Sequence, residues 1–178
     1  MGSLDLSMNG IADAGTAAVA DSESSLESLY LLGCEIGPSG AKLLAQAKRL
    51  NKLQVLALSG NNLGDEGAIA LAKSIALPSL TTLDLCANGI SDTGALALAQ
   101  SSHLKNLKVI ELFGNEVGGR GRSALRKRFG AGLHLRCPHD SARRAASAWA
   151  KSAGGGTSNR NDSWLSGCTK PSTAACKA

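Results

Sequence analysis

Aromatic side chains are scarce in this chain of 178 residues, which holds two Trp, two Phe and one Tyr. None is interleaved with the basic residues, so the stacking platform of a nucleic-acid binder is missing. Apolar runs are also short. None approaches the ~18 residues of a membrane span. The opening Met1–Leu6 has neither a basic flank nor a long apolar core, so no secretory leader is expected. Leu6 stands where a myristoylation signal needs Ser or Thr, and Cys176 is third rather than fourth from the end, so neither lipid motif is met. The five cysteines (34, 86, 137, 168 and 176) are odd in number and scattered, which points to reduced thiols and a cytoplasmic location. The three histidines (103, 134 and 139) pair with no nucleophile motif. Gly118-Gly-Arg-Gly121 lacks the Lys-Ser/Thr ending of a phosphate loop. Catalysis is not expected.

What the chain does have is a rhythm. Leu26, Leu53, Leu80 and Leu107 stand 27 residues apart. With Leu26 as position 1, position 4 reads Leu29, Leu56, Leu83, Ile110, and position 6 reads Leu31, Leu58, Leu85, Leu112. Position 9 is Cys34, Asn61, Asn88, Asn115; position 11 is Ile36, Leu63, Ile90, Val117; position 15 is Gly40, Gly67, Gly94, Gly121. An earlier copy, shortened by two residues, carries Leu4, Leu6, Asn9, Ile11 and Gly15.

Positions 4 and 6 alternate, as in a short strand with one buried face. Positions 15 to 23, for example Gly67 to Ile75, are rich in Ala and Leu and predict a helix. Asp13, Asp65 and Asp92 just precede that stretch, where a carboxylate meets free N–H groups and the positive end of the helix dipole. Pro38 replaces Asp in one copy and suits a first helical turn. The repeated glycine predicts a close approach between helix starts, with an unusual backbone angle as the alternative. The asparagine leaves the strand where its amide can satisfy loop groups. Cys34 in the same column predicts a buried structural thiol.

These columns resemble the leucine-rich repeat family, and the 27-residue period with full helices resembles its ribonuclease-inhibitor-like subclass. Gly114 to Gly130 is similar to the last repeat of short bacterial arrays of this kind. The resemblance covers about residues 1–135. It implies an α/β solenoid, curved, with a parallel sheet on the concave side and helices on the convex side. The implied role is binding a protein partner, without cofactor, metal or small-molecule substrate.

The expected organisation is a repeat domain over residues 1–136, with repeats starting near 1, 26, 53, 80 and 107, then a tail over 137–178. Charge divides earlier than this boundary, within the last repeat. Residues 1–118 hold 7 Lys/Arg and 12 Asp/Glu, a net of −5, whereas residues 119–178 hold 12 and 2, a net of +10. The tail is rich in Ala, Ser, Gly and Thr and predicts disorder, with room for a short helix over 141–152 carrying Trp149. His134, Cys137 and His139 match no zinc spacing and are expected to be solvated loop residues. Asn161-Asp-Ser163 is a glycosylation sequon, void without secretion. Arg120, Arg122, Arg126, Lys127 and Arg128 predict the solvated face of a terminal helix rather than a phosphate or lipid site.

Positions 3, 5 and 7 point away from the helices and form the predicted binding face. Its candidate contacts are Tyr30, Leu32, Val55, Asp84, Cys86, Glu111 and Phe113, with Tyr30 and Phe113 as anchors, since aromatics dominate hot spots. Five strands about 4.8 Å apart span roughly 20 Å. That is short for a standard interface of about 800 Å² per partner. With no polar cap before the first repeat, the chain is expected to be part of a longer protein. A GTPase-activating role finds no Arg in the loops after the strands before Arg120. A ribonuclease-inhibitor-like role would set the acidic face against a basic enzyme.

Overall fold

A computed structural model describes residues 2–22 and 25–135. Strand and helix alternate along them: β1 Gly2–Asp5, α1 Ala12–Asp21, β2 Leu26–Tyr30, α2 Pro38–Gln46, β3 Val55–Ala57, α3 Gly64–Ala72, β4 Thr82–Asp84, α4 Asp92–Gln100, β5 Val109–Glu111, α5 Gly119–Phe129 and β6 Leu133–His134. The strands form one parallel sheet in sequence order. Each helix packs on the next, so all five lie on the same side of that sheet. Neighbouring helices need about 8–10 Å and neighbouring strands about 4.8 Å. The stack therefore bends with the sheet on its inner side. This is an α/β leucine-rich solenoid, as the repeat columns predicted.

The core is the repeated leucine itself. Leu29, Leu56, Leu83 and Ile110 are fully buried, as are Leu31, Leu58, Leu85, Ile36, Leu63 and Ile90. A fully buried Leu or Ile contributes about 1.5–3 kcal/mol, but only with a neighbouring repeat to cover it. The register shows how regular the stacking is: Leu29 pairs with Leu56, Leu56 with Leu83, and Leu83 with Ile110. In the shortened first copy, the register shifts between Gly2 and Ser3 before Leu4 meets Leu29.

The asparagine column clamps the turns. Asn61 Oδ1 accepts from the N–H groups of Cys34 and Ile36, both at 3.0 Å, while its Nδ2 donates to the carbonyls of Leu31 and Leu58, both at 2.8 Å. Asn115 does the same two repeats further on, accepting from Asn88 and Ile90 and donating to Leu85 and Leu112. Cys34 is fully buried and its thiol donates to the Leu6 carbonyl at 3.1 Å, so it fills part of the amide's role. Burial pushes that thiol above its usual pKa, against the backbone hydrogen bonds of Asn9 and Met8.

Three local expectations are corrected. Helices begin two or three residues before the repeated glycine: α3 starts at Gly64, and the Gly67 N–H already donates to the Leu63 carbonyl. The aspartates cap the following repeat's helix rather than their own. Asp13 Oδ1 accepts from Gly37 and Gly40, Asp65 Oδ1 from Ser91 and Gly94, and Asp92 Oδ1 from Gly118 and Gly121, at 2.7–2.9 Å. Pro38 offers no carboxylate from its own copy, so α3 has no such cap; its leucine N-cap makes no side-chain hydrogen bond. The third correction concerns the basic cluster. Arg128 turns back onto the end of α4 and donates to the carbonyls of Leu98, Ala99, Ser101 and Leu104. Ser74 and Ser101, at the same repeat position, donate to Ala45 and Ala72 one repeat earlier. A serine satisfies one carbonyl; the guanidinium fork satisfies four. The tail expected over 137–178, with its short helix, its cysteines and its sequon, lies outside the described residues.

Candidate functional site

The face of the sheet that carries no helix presents three rows of side chains. Ser28, Val55, Thr82 and Val109 form one row by register. Asp5, Tyr30, Ala57, Asp84, Glu111 and His134 form the next. Leu32, Ser59, Cys86 and Phe113 form the third, their carbonyls accepting in turn from Met8, Gly33, Gly60 and Ala87. All seven expected contact residues therefore lie on this face, and each is half-buried.

They do not form one cluster. Tyr30 and Phe113 are three strands apart, about 14 Å across the sheet. Between them lies the small, buried Ala57. Aromatic and aliphatic groups thus flank a floor of small residues on the Tyr30 side, while the Phe113 side is acidic.

The acidic side is where the geometry is densest. Asp84, Cys86 and Glu111 each bring one donor atom to a common point, and these atoms all lie within 4.8 Å of one another. Asp84 Oδ1 also accepts from the Cys86 N–H at 2.9 Å, which turns the chain out of β4. Burial holds the Asp84 carboxyl above the ordinary carboxylate range, opposed by its hydrogen bonds from Cys86 and reinforced by Glu111. Burial, and then the Asp84 carboxylate, push the Cys86 thiol far above its usual value. The cause is common to both: anions crowded at a place with little water are costly, so each group favours its protonated form.

His134 was expected in a solvated loop, and the structure places it in β6 instead, opposite Glu111. Its Nδ1 lies 3.6 Å from Glu111 Oε1, has no hydrogen-bond partner, and is shut off from solvent. The sixth strand was missed because only Leu133 and Leu135 of its repeat columns survive. The convergence of Asp84, Cys86 and Glu111 was visible only as carboxylates at position 5 of adjacent repeats with a thiol at position 7.

Five successive segments match the family model described as Leucine Rich repeat: residues 3–20, 23–45, 49–72, 76–99 and 103–125. Together they cover more than half of the chain, one segment for each of the five strand–helix units. The chain belongs to the leucine-rich repeat family. Its repeats commonly mediate protein–protein interaction, and the family is typically a non-enzymatic scaffold. No curated protein matches the chain.

Among the described residues, no helix is long and apolar enough to cross a membrane. Two shallow hollows lie on the helix side. One is lined by Lys42, Lys48, Lys73, Ala70 and Ile75. The other includes Leu43, Asp21 and Arg49. Neither gathers groups that could do chemistry together.

Proposed function

We propose that the chain is a non-catalytic scaffold that binds a partner protein across the helix-free face, using Tyr30, Leu32, Val55, Asp84, Cys86, Glu111 and Phe113. One observation carries this reading. Two rows of side chains, half-exposed apart from the exposed Asp5 and the buried Ala57, run straight across the sheet, with Tyr30 near one end and Phe113 near the other. Aromatic rings held rigidly on strands contribute large contact area with little loss of side-chain freedom. Six strands extend the face to about 24 Å, still short for a standard interface. The loops after the strands, such as that of the exposed Met8, then add area to the contact.

The 27-residue period and helices of nine residues or more support placement in the ribonuclease-inhibitor-like subclass. The adjacent carboxylates of Asp84 and Glu111 favour a basic partner, the form an inhibitor-like role would take. Cys34 and Cys86 are free thiols, in keeping with work in the reducing cytoplasm.

The test is affinity capture with the wild-type chain beside a variant carrying Tyr30→Ala and Phe113→Ala. Loss of one or more specific proteins from the captured set is expected. An unchanged set overturns the assignment to this face.

A further inference from the structure

The connections that lead from a helix back to a strand lie along the edge of the sheet where the strands begin. Those after α2, α3 and α4 are residues 47–54, 73–81 and 101–108. They hold six of the seven Lys/Arg found in residues 1–118, and neither Asp nor Glu. All six cations are exposed. Among the described residues, Lys48, Lys52, Lys73, Lys105 and Lys108 make no ion pair, whereas Lys42, outside these connections, pairs with Glu66 at 3.6 Å. Acidic groups such as Glu35, Asp65, Asp92 and Glu116 stand at the opposite edge, where strands lead into helices.

The basic connections are tied to one another. Ser74 Oγ donates to the Ala45 carbonyl at 2.7 Å, Ser79 Oγ to Asn51 at 2.8 Å and Asn106 Nδ2 to Pro78 at 2.7 Å. The cations therefore rise from a preorganised rim. One apolar group interrupts them. Ile75 takes the repeat position of Lys48 and, at 72% exposed, is the most open large apolar side chain among the described residues. With Ala45, Ala70, Ala76, Lys48 and Lys73 it lines a hollow of about 400 Å³.

We propose that this edge is a second docking surface, which takes an acidic segment of a partner protein carrying an aliphatic side chain for the hollow beside Ile75. Charge complementarity names the partner. Unpaired ammonium groups with no acid among them concentrate an anionic segment and select against a basic one. The hollow narrows the choice. Single-stranded nucleic acid uses aromatic platforms, and the three connections contain no Phe, Tyr or Trp. An anionic membrane takes up a broad apolar face, whereas the open aliphatic group here belongs to a recess. A peptide meets both demands, setting carboxylates against the lysines and one apolar side chain against Ile75. Asp21 lines the neighbouring hollow with Lys48 and Arg49 and bounds the basic surface on the α1 side. This edge is separate from the helix-free face, and the variants that test it leave Tyr30 and Phe113 in place.

The experiment is fluorescence anisotropy of the full chain with a labelled synthetic peptide of alternating Glu and Ser around a central Leu-Leu pair. Saturable binding is expected at low salt, weakening as salt rises. Lys48→Glu with Lys73→Glu weakens it by about tenfold or more. Ile75→Ser, or Ser in place of the peptide's Leu pair, weakens it by about tenfold through lost apolar burial. Arg160→Glu with Lys170→Glu makes the same charge change within residues 137–178 and shifts binding by less than about threefold, since screening confines exposed charges to short range. Lys48, Lys73 and Ile75 are all exposed, so these variants keep the fold, which circular dichroism checks. Binding weaker than about 1 mM, an equal loss from the Arg160 and Lys170 pair, or indifference to Ile75 overturns the proposal. So does tighter binding of labelled oligothymidylate or of phosphatidylserine vesicles that the Lys48 and Lys73 pair abolishes, which assigns the edge to a nucleic acid or a membrane. Self-association of the chain that the same pair abolishes assigns it to a second copy, and overturns the proposal too.

Discussion

Asp65 and Gly94 belong to adjacent repeats and occupy one space between them. Asp65 Oδ1 accepts the Gly94 N–H at 2.9 Å, and a Cβ on Gly94 would stand 2.7 Å from that same oxygen. The pattern recurs with Asp13 over Gly40 and Asp92 over Gly121. None of these three glycines has a positive φ, so the column is glycine for room rather than for backbone freedom. Helix α3 is the exception that explains the rule: Gly67 has no carboxylate above it, and its space is taken by Leu63 and Ala41.

Gly94→Ala is expected to lose about 1–3 kcal/mol, the usual cost of overpacking, even though Ala favours helix. The double variant Asp65→Ala, Gly94→Ala should lose less than the two single losses added, because removing the carboxylate relieves the methyl's tightest contact and leaves those with Ile90 and Ala68. Urea unfolding of the four proteins measures that coupling, about 0.5 kcal/mol or more for contacting residues. Additive losses would refute the shared-space account.

Acid should open this joint. Burial alone would raise the Asp65 pKa, but the hydrogen bonds from the Ser91 hydroxyl, the Ser91 N–H and the Gly94 N–H outweigh it and hold the carboxyl below its ordinary value. A depressed carboxylate contributes stability above the unfolded value, about 3.9, and loses it as pH falls through the folded one. The urea midpoint of the wild type should therefore fall more steeply than that of Asp65→Asn as pH drops below about 4. Parallel curves would show that the cap carries no proton linkage.

Asn61→Ala should be among the most damaging polar substitutions in the chain. Its amide serves four backbone groups across two turns, and each group left buried and unpaired costs about 1–3 kcal/mol. The equivalent Asn9 makes bonds only to Leu6 and Ser7 at an exposed end of the stack. Asn9→Ala is expected to cost under about 1 kcal/mol. Similar losses at both positions would show that the clamp acts locally and does not join repeats.

Arg128→Ala should loosen the end of α4 while Arg126→Ala leaves it intact, since Arg126 is exposed and Arg128 serves four carbonyls. Burial lowers the Arg128 pKa, yet a guanidinium stays charged throughout the accessible range. Lysine lacks the planar fork, so Arg128→Lys should rescue little. Amide exchange at residues 98–105 reads the effect; equal protection in the Ala variant would place the anchor elsewhere.

The period, the strand and helix in each copy, the buried leucines and the family were all legible in the sequence, because a solenoid's core is built from contacts between like positions in neighbouring copies. The clamp by Asn61 was legible for the same reason. Which helix an aspartate caps was not. Asp65 precedes α3's glycine in sequence, but stacking carries its oxygens to the N–H groups of Ser91 and Gly94. The seven contact residues could be assigned to a face from strand alternation alone, whereas the absence of a single cluster followed from counting strands between Tyr30 and Phe113.

Sequence alone determined the repeat, the sheet-and-helix stack and the face that holds Tyr30, Asp84, Glu111 and Phe113, since periodicity sets which side of a strand each residue occupies. Tertiary structure decided what happens between repeats. Only there do Asp84, Cys86 and Glu111 converge, does β6 bring His134 to Glu111, and does Arg128 close α4. Glu111 stands 23 to 27 residues from Asp84, Cys86 and His134, and Arg128 stands 24 to 30 from the carbonyls it meets; only parallel stacking brings such separations into contact.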